Sequence, residues 1–423
     1  MRDPARSIHP VVWSLLIVPF GAVSGFTSVA IAFLATRRGL TVTDGATVIA
    51  VGMLPHAWKF FWGPVADTTL TRKRWYLLSG AFCCAGIVLM SAIPLGPSTL
   101  HLIEAVVFMT SLATTFLGMA VEGLMAHLTA PDQRGRVGGW FQAGNFAGGG
   151  LGGGAGLWMV SHLPSPWMSG FVLSLAFAGC AAALWWLPDV QAESRDVALP
   201  RAIRNVGRDL WGVLKSRQGI LCAILCFLPI GTGAASGVLA QAEVAAHWHA
   251  GEYEVELVNG LLVGLISAWG CLIGGWLCSR YPSRRVYATS GGLMAAVAAG
   301  MAMAPSTPAV FIIGGLAYSM VAGLAFAAFT GFVLEVIGAG AAATKYNIFA
   351  ALSNTPITYM GLVLAWSVSR RGADGMLLME AAAELIGIII LGVAVVALGV
   401  GRTSRSAIPV PAVAIEPDTA VEP

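Results

Sequence analysis

The stretch LPHAWKFFWGPVAD, residues 54–67, is apolar and aromatic, yet Lys59 lies in its middle. A charged side chain near the centre of a bilayer costs about 2.5–3.5 kcal/mol on insertion scales. Lys59 precedes Asp67 by eight residues, which places it roughly 12 Å deeper along a helix. Two interpretations remain open: the lysine stem extends to the membrane surface as an anchor, or the ammonium group binds an anionic solute or a carboxylate.

The composition of the whole chain indicates an integral membrane protein. Of its 423 residues, 57% are hydrophobic and 11% are charged, whereas soluble domains carry about 25% charged residues. The net charge of +3 is too small to indicate nucleic-acid binding. The seven cysteines all fall in apolar runs without the spacing of a zinc site, so we expect no metal.

Twelve runs are apolar and long enough to cross a bilayer, which takes about 20 residues each. They predict an all-α integral membrane protein with 12 transmembrane helices, arranged as two six-helix lobes. The runs, numbered here as spans 1 to 12, are 11–35, 44–66, 75–95, 99–126, 137–161, 167–187, 219–240, 256–278, 286–304, 308–335, 345–368 and 376–400.

The polar stretches between and after the spans divide the chain into four parts. The N-terminal lobe is residues 1–188, a cytoplasmic linker is 189–217, and the C-terminal lobe is 218–401. Residues 402–423 are rich in proline and alanine and predict a disordered cytoplasmic tail.

The distribution of basic residues predicts the orientation. Cytoplasmic loops carry an excess of lysine and arginine. With the N-terminus in the cytoplasm, all but five of the 24 basic residues lie in cytoplasmic loops or tails. Both termini and the linker are therefore expected in the cytoplasm. The five exceptions are Arg37, Arg38, Lys59, Arg370 and Arg371.

The two halves of the chain resemble each other at a shift of about 210 residues. The segment 19–21 (PFG) matches 229–231 (PIG), and Asn145 matches Asn354. Internal repeats of this kind suit a transporter whose solute site lies near the bilayer midplane, between two lobes that rock. The position that matches Lys59 is Gly270, so the second half builds the same helix without a cation. This difference favours a functional role for Lys59.

The six-plus-six pattern resembles the major facilitator superfamily, and one loop carries a similar signature. The signature consists of a glycine near the end of span 2, an acid four residues later and a basic cluster after the acid. In that family these groups are thought to latch the lobes on the cytoplasmic side. The resemblance implies a cytoplasmic gate formed by Gly63, Asp67, Arg72, Lys73, Arg74, Arg134 and Arg136.

A narrower resemblance links the chain to the AmpG-type permeases and the related acetyl-coenzyme A transporters. Residues 54–67 are similar to their LPxxxKFxWxPxxD stretch, and residues 344–353 are similar to their TQYALLSSL segment. Span 4 departs from the pattern, because Gly118 and Glu122 stand where AmpG-type proteins usually carry two aspartates. Lys345 replaces the glutamine. The resemblance implies proton-coupled import of anhydro-muropeptides, and the departures leave the solute open.

Buried acids in the spans are the candidates for proton coupling. Glu122 in span 4, close to the depth of Lys59, is the first, and Glu335, its rough counterpart in the second half near the cytoplasmic end of span 10, is the second. A carboxylate that alternately meets water and an ammonium group loads and releases a proton. A structural hydrogen bond to a neighbouring helix is the alternative for either acid. Glu380 and Glu384 share a face at the start of span 12.

Other polar and aromatic residues are candidates for contacts with a solute. Trp58 and Trp62 are four residues apart near Lys59 and could stack on a ring; packing against lipid or core is the alternative. The glycine-rich run of span 5 lacks the strand of a phosphate loop and predicts close helix packing. The predicted solute-binding residues are Lys59, Trp58, Trp62, Gln142, Asn145, Tyr346 and Asn354.

These features together predict a secondary active, proton-coupled transporter of a small polar solute, acting as a monomer in a bacterial inner membrane. Its partners are the solute, protons and the lipid bilayer, with no nucleic acid and no cofactor. An efflux pump or an acyl-coenzyme A-type transporter is the alternative within transporters. A membrane enzyme would need a nucleophile or metal signature that the sequence lacks. A sensor or scaffold would move no solute and would tolerate neutralisation of Lys59.

Overall fold

A computed structural model describes residues 8–31, 34–35, 38, 40, 42–188, 199–337 and 342–400. Within these residues every regular element is helical and there is no strand, which confirms the predicted all-α class. The predicted tail, 402–423, lies outside the described residues, as do residues 189–198 of the linker.

The first lobe contains spans 1 to 6, two of which continue through π-helical turns and one of which is broken. A short 3-10 turn, Pro131–Gln133, precedes span 5. The observed bounds are Val11–Gly25 with Phe26–Ile31 for span 1, Val42–Ala57 and Lys59–Thr68 for span 2, Arg72–Ala92 for span 3, Leu100–Leu128 for span 4, Arg134–Gly150 with Leu151–Ala155 and Gly156–His162 for span 5, and Trp167–Ala181 with Ala182–Trp186 for span 6.

The second lobe follows a helix in the linker, Leu199–Lys215, which the sequence analysis does not predict. Short helices at Ala242–Ala245 and Ala246–Trp248 connect spans 7 and 8. The observed bounds are Arg217–Leu225 and Ala234–Leu239 for span 7, Glu252–Asn259 and Leu261–Cys278 for span 8, Ser283–Met303 for span 9, Pro308–Ile337 for span 10, and Ala342–Leu352 with Asn354–Ala397 for spans 11 and 12.

The described residues contain seven helices that are long and apolar enough to cross a membrane. One of them, Thr344–Ala397, covers both spans 11 and 12 through a bend at Gly372, whose φ is 70° and ψ is −169°. Spans 2, 5, 7 and 8 are assembled from shorter helical pieces. Irregular backbone at membrane depth is tolerated where it is buried in protein or lines a cavity, so these breaks indicate where the interior is specialised.

Glycines bring the two lobes together along spans 5 and 8. A Cβ on Gly139 would lie 2.5 Å from the Cα of Gly275, and one on Gly264 would lie 2.7 Å from the Cα of Gly150. Neither pair leaves room for a side chain, as in other closely packed membrane helices. The close packing predicted from the glycine-rich run is confirmed.

Replacing Gly139 with alanine is expected to lower the free energy of unfolding by about 1–3 kcal/mol, because the added methyl group overpacks the lobe interface. Gly80 in span 3 has no atom of the described residues within 4 Å of an added Cβ. Gly80→Ala is therefore the matched control and is expected to leave stability unchanged or slightly higher. Thermal unfolding of the purified protein in detergent measures both, and equal melting temperatures would contradict the close approach.

Candidate functional site

A cavity of about 920 Å³, counting the part open to solvent, lies between the two lobes. Spans 1, 2, 4 and 5 of the first lobe and spans 10 and 11 of the second contribute to its wall. Six of the residues predicted from the sequence to bind solute or proton line it: Lys59, Glu122, Gln142, Asn145, Tyr346 and Asn354.

Lys59 and Glu122 form an ion pair in the wall of this cavity. The Nζ of Lys59 lies 3.9 Å from one carboxylate oxygen of Glu122, and both side chains are largely buried. The other oxygen of Glu122 accepts a hydrogen bond of 2.8 Å from the Nδ2 of Asn347. Since Asn347 belongs to span 11, this hydrogen bond joins the two lobes. Any movement that separates the lobes here must break it.

A break in span 2 places Lys59 at the start of a helical piece. Trp58 has φ −100° and ψ 11°, and the second helical piece of the span starts at Lys59. The ammonium group faces Glu122 and the cavity. A buried charge is tolerated when it is paired, and the pair therefore accounts for a cation at this depth without extension to the membrane surface.

The predicted amide side chains form a second polar group in the cavity. Gln142 donates a 2.8 Å hydrogen bond to Thr330 of span 10, and Asn145 donates one of 3.3 Å to Gln142. The hydroxyl of Tyr346 lies 3.5 Å from the same Thr330 oxygen. Thr330 thus connects residues of spans 5 and 11, and the amides that face the cavity are held in place by a network across the lobes.

Three predicted site residues lie elsewhere. The side chain of Trp62 packs against Phe116, with ring centroids 6.0 Å apart, and neither Trp62 nor Trp58 lines the cavity. Trp58 is 49% exposed. Glu335 lies at the far end of span 10, where its carboxylate accepts a 2.6 Å hydrogen bond from Ser283.

The cavity also contains residues that sequence reasoning did not select. His56 lines it and lies 3.1 Å from the hydroxyl of Thr115. A histidine three residues before the buried Lys59 is the sequence feature that could have identified His56 as a cavity residue. Aromatic rings cover much of the remaining wall, and these belong to Phe20, Phe141, Phe146, Phe326 and Phe329.

The predicted gate residues meet at one end of the bundle, which we call the basic end and define by Asp67, Arg72, Arg134 and Arg136. Asp67 accepts a hydrogen bond from the guanidinium of Arg72, and both side chains are buried. Asp67 also accepts a 2.9 Å hydrogen bond from the backbone N–H of Thr344 in span 11. These contacts join span 2 to the opposite lobe.

Two further contacts close the basic end. A Cβ on Gly63 would lie 2.8 Å from the hydroxyl of Thr344, so the glycine permits the approach of span 11. Arg134 donates a 3.4 Å hydrogen bond to the backbone carbonyl of Glu335. Lys73, Arg74 and Arg136 form no ion pair among the described residues.

The cavity continues towards the end opposite the basic end. A second space of about 760 Å³, again counting the part open to solvent, shares Ser24, Asn145 and Phe146 with it. Its other lining residues include Ser28, Gly153 and Gly260, which lie towards the non-basic ends of spans 1, 5 and 8. The structure is therefore closed at the basic end and open towards the other.

Comparison of the sequence with known protein families identifies this arrangement. The sequence model described as Major Facilitator Superfamily matches residues 12–358, which is most of the chain. The chain belongs to the Major Facilitator Superfamily. It is accordingly a multi-pass membrane transporter of a small solute. No curated protein matches the sequence.

Solved structures of other superfamily transporters share the fold. The human organic anion transporter MFSD10 aligns with a TM-score of 0.67 and 15% identity over 92% of this chain and 100% of that one. The fucose:proton symporter FucP of E. coli aligns with a TM-score of 0.68 and 14% identity over 92% and 99%. A bacterial homologue of the iron transporter ferroportin, in its outward-facing state, aligns with a TM-score of 0.61 and 15% identity over 93% and 99%.

Replacing Asp67 with asparagine is expected to open the basic end of this superfamily member. The change leaves the buried Arg72 guanidinium without its counter-charge, which costs about 3–5 kcal/mol when a buried pair is broken. Cys278 reports the opening, because a Cβ on Gly135 of the other lobe would collide with it. Its thiol should be labelled several-fold faster in Asp67→Asn, with the other six cysteines replaced by alanine.

The exposed Asp132, in the turn before span 5, provides the matched control for this labelling. Asp132→Asn should label at the rate of the parent protein. Equal labelling rates in Asp67→Asn and the parent would show that Asp67 does not hold the basic end closed.

Proposed function

We propose that this transporter is a proton-coupled symporter that imports a small organic anion, with AmpG-like import of anhydro-muropeptides as the first candidate. The observation that carries the proposal is the Lys59–Glu122 pair in the wall of the central cavity, 3.9 Å apart. The pair places one cation and one exchangeable acid where a solute would bind. Asn347, which donates a hydrogen bond to Glu122, comes from the opposite lobe.

The first step is competition for Lys59. An anionic group on the solute binds the ammonium group and separates it from Glu122. A buried carboxylate that loses its counter-charge takes up a proton, because burial penalises its charged form. The solute anion and one proton then occupy the site together. This exchange couples the two movements without any direct contact between the solute and the proton.

The second step is movement of the lobes. Hydrogen bonds to an ionised group are roughly twice as strong as neutral ones, so protonation of Glu122 weakens its hydrogen bond from Asn347. Span 11 is then more easily released from the first lobe. In the absence of solute, the ionised Glu122 keeps Asn347 and the closed basic end in place. The pair therefore favours the state closed at the basic end while the site is empty.

The remaining wall of the cavity supports a solute of mixed character. Five phenylalanines provide apolar surface for ring faces, and Gln142, Asn145 and Asn354 provide amide groups. A carboxylate-bearing sugar such as an anhydro-muropeptide combines an anionic group with rings and hydroxyls. Neutral sugars alone would leave Lys59 without a partner on the solute.

The proposed coupling sets the direction of transport. The predicted orientation places the basic end in the cytoplasm, so the cavity is open to the periplasm, and a solute that binds there together with a proton moves inward down the proton gradient. Transport in the outward direction is the alternative within the superfamily.

Uptake into proteoliposomes tests the proposal. Purified protein is reconstituted and given a labelled anhydro-muropeptide, with a pH gradient of each sign in separate samples. We expect accumulation when the periplasmic side is acidic. A nucleotide-linked acyl donor is run in parallel as the acyl-coenzyme A-type alternative. Flux of neither compound, together with no effect of neutralising Lys59, would favour a sensor or scaffold.

A further inference from the structure

The C-terminal lobe buries two acids that the central cavity does not contain. Glu380 and Glu384 lie one helical turn apart in span 12, and neither is exposed. Among the described residues, no lysine, arginine or histidine forms an ion pair with either of them. Two acids in an apolar lobe without a counter-charge are expensive unless at least one carries a proton.

Both acids are linked by hydrogen bonds to the broken segment of span 7, Glu384 directly and Glu380 through Tyr318. Glu384 accepts the backbone N–H of Gly231, at 2.8 and 3.1 Å from its two oxygens. Glu380 accepts a hydrogen bond from the hydroxyl of Tyr318. Tyr318 in turn accepts the backbone N–H of Ala235 at 3.3 Å. Glu384 therefore contacts the break itself, and Glu380 contacts, through Tyr318, the helical piece that follows the break.

The backbone at the break and a glycine on span 9 leave space for the carboxyl group of Glu384. Gly231 has φ 62° and Gly233 has φ 70°, in the left-handed region that glycine adopts without penalty. A Cβ on Gly291 of span 9 would lie 2.9 Å from a carboxylate oxygen of Glu384. The hydroxyl of Tyr287 donates a 2.6 Å hydrogen bond to the carbonyl of Ile230. Spans 7, 9, 10 and 12 together enclose the two carboxyl groups.

The surroundings of the two acids favour a proton as the ligand. One oxygen of Glu380 is buried and has no hydrogen-bond partner among the described residues. No group of three or more metal-ligating side chains occurs among the described residues. The other titratable groups nearby are themselves acids that carry no charge when protonated: Tyr287, Tyr318, Tyr359, Cys222 and Cys226.

A small cavity lies between the break in span 7 and the central cavity. It is lined by Ile230, Gly231 and Thr232. It shares Phe326, Phe329 and Ser353 with the central cavity. Water that enters the central cavity therefore lies within one side-chain layer of the break in span 7.

We propose that Glu384 and Glu380 form a second proton-binding site, which is loaded and emptied as the broken segment of span 7 moves. The proton arrives from a hydronium ion in the central cavity and returns to water there, so no other reactant takes part. Protonation of Glu384 replaces a charge-assisted hydrogen bond to Gly231 with a weaker neutral one. Loading the site thereby releases span 7, and emptying it holds span 7 in place. The site does not depend on Lys59 or on the identity of the solute.

Hydrogen–deuterium exchange of residues 226–240 in the purified full-length protein tests this site. After correction for the intrinsic pH dependence of amide exchange, we expect wild-type protection of this segment to fall as the pH is lowered. Glu384→Gln should lose this pH response and remain at the low-pH level, since glutamine cannot ionise. Glu380→Gln is the second variant, and it is used in the same way if Glu384→Gln does not fold.

Glu122→Gln is the control that separates this site from the central one. It should keep the full pH response of span 7, whatever its effect on uptake. A pH response of wild-type size in Glu384→Gln, or in Glu380→Gln where Glu384→Gln does not fold, would overturn the second site. The same result would leave the proposed role of Glu122 intact, and loss of that role would leave the second site intact.

Discussion

Replacing Lys59 with methionine is expected to abolish concentrative uptake of the solute while the protein remains folded. Methionine keeps an unbranched side chain, one atom shorter than that of lysine, but removes the charge, so the anionic group of the solute has no partner in the cavity. Removing one member of a buried charge pair costs about 2–5 kcal/mol, which corresponds to a loss of about 30-fold to 5,000-fold in affinity. Uptake of a labelled anhydro-muropeptide at sub-saturating concentration measures the loss.

A matched control separates the local effect from a general effect of charge. Lys215 lies at the end of the linker helix, above the ring of Trp211 and outside the cavity. Lys215→Met should transport at the wild-type rate. If Lys59→Met moved solute with the wild-type rate and affinity, the binding site would lie elsewhere in the molecule. Melting temperatures of both variants show that the fold is retained.

Replacing Glu122 with glutamine is expected to uncouple solute movement from the proton gradient. Glutamine can still hydrogen-bond Asn347, but it cannot gain or lose a proton. We expect accumulation against a concentration gradient to disappear, because no proton follows the solute. Exchange of labelled for unlabelled solute across the membrane should continue, since binding and lobe movement remain available. Counterflow and gradient-driven uptake in the same proteoliposomes distinguish the two activities.

Span 4 also provides the control for this prediction. Glu104 lies near the other end of the same helix and contacts His101 at 2.9 Å, away from the cavity. Glu104→Gln should keep gradient-driven uptake. Unchanged dependence on the pH gradient in Glu122→Gln would remove this acid from the coupling mechanism.

The fold and part of the site could be predicted because they depend on local composition and depth. Apolar runs of sufficient length must be helical in a bilayer, and the positions of these runs predicted the spans. Counting residues from the loops placed Lys59 and Glu122 at similar depths, and the two side chains do meet. The glycine-rich run of span 5 likewise predicted a close helix contact.

Contacts across the lobes could not be predicted from spacing. Asn347 is 225 positions from Glu122, and nothing in either segment indicates the partner. Trp58 and Trp62 were expected to share a helix face near Lys59, but the helix breaks at Trp58, so the periodicity argument does not apply there. Glu335 was placed with the coupling acids by its match in the repeat. The structure places it at the basic end, with Ser283 and Arg134.

The second acid pair shows the same limit. The spacing of Glu380 and Glu384 predicts a shared helix face, but it does not show what that face meets. Their partners belong to span 7, where two glycines adopt positive φ. Glycine is common throughout this chain, so its presence alone does not mark a break.

Proton uptake on solute binding tests the coupling between Lys59 and Glu122 most directly. Titration calorimetry of the purified protein with an anhydro-muropeptide, in buffers of different ionisation enthalpy, gives the number of protons taken up. We expect the wild-type protein to take up close to one proton for each bound solute near neutral pH, and Glu122→Gln to take up fewer while still binding. Equal proton uptake by the two proteins would contradict the exchange of partners at Lys59 on which the mechanism depends.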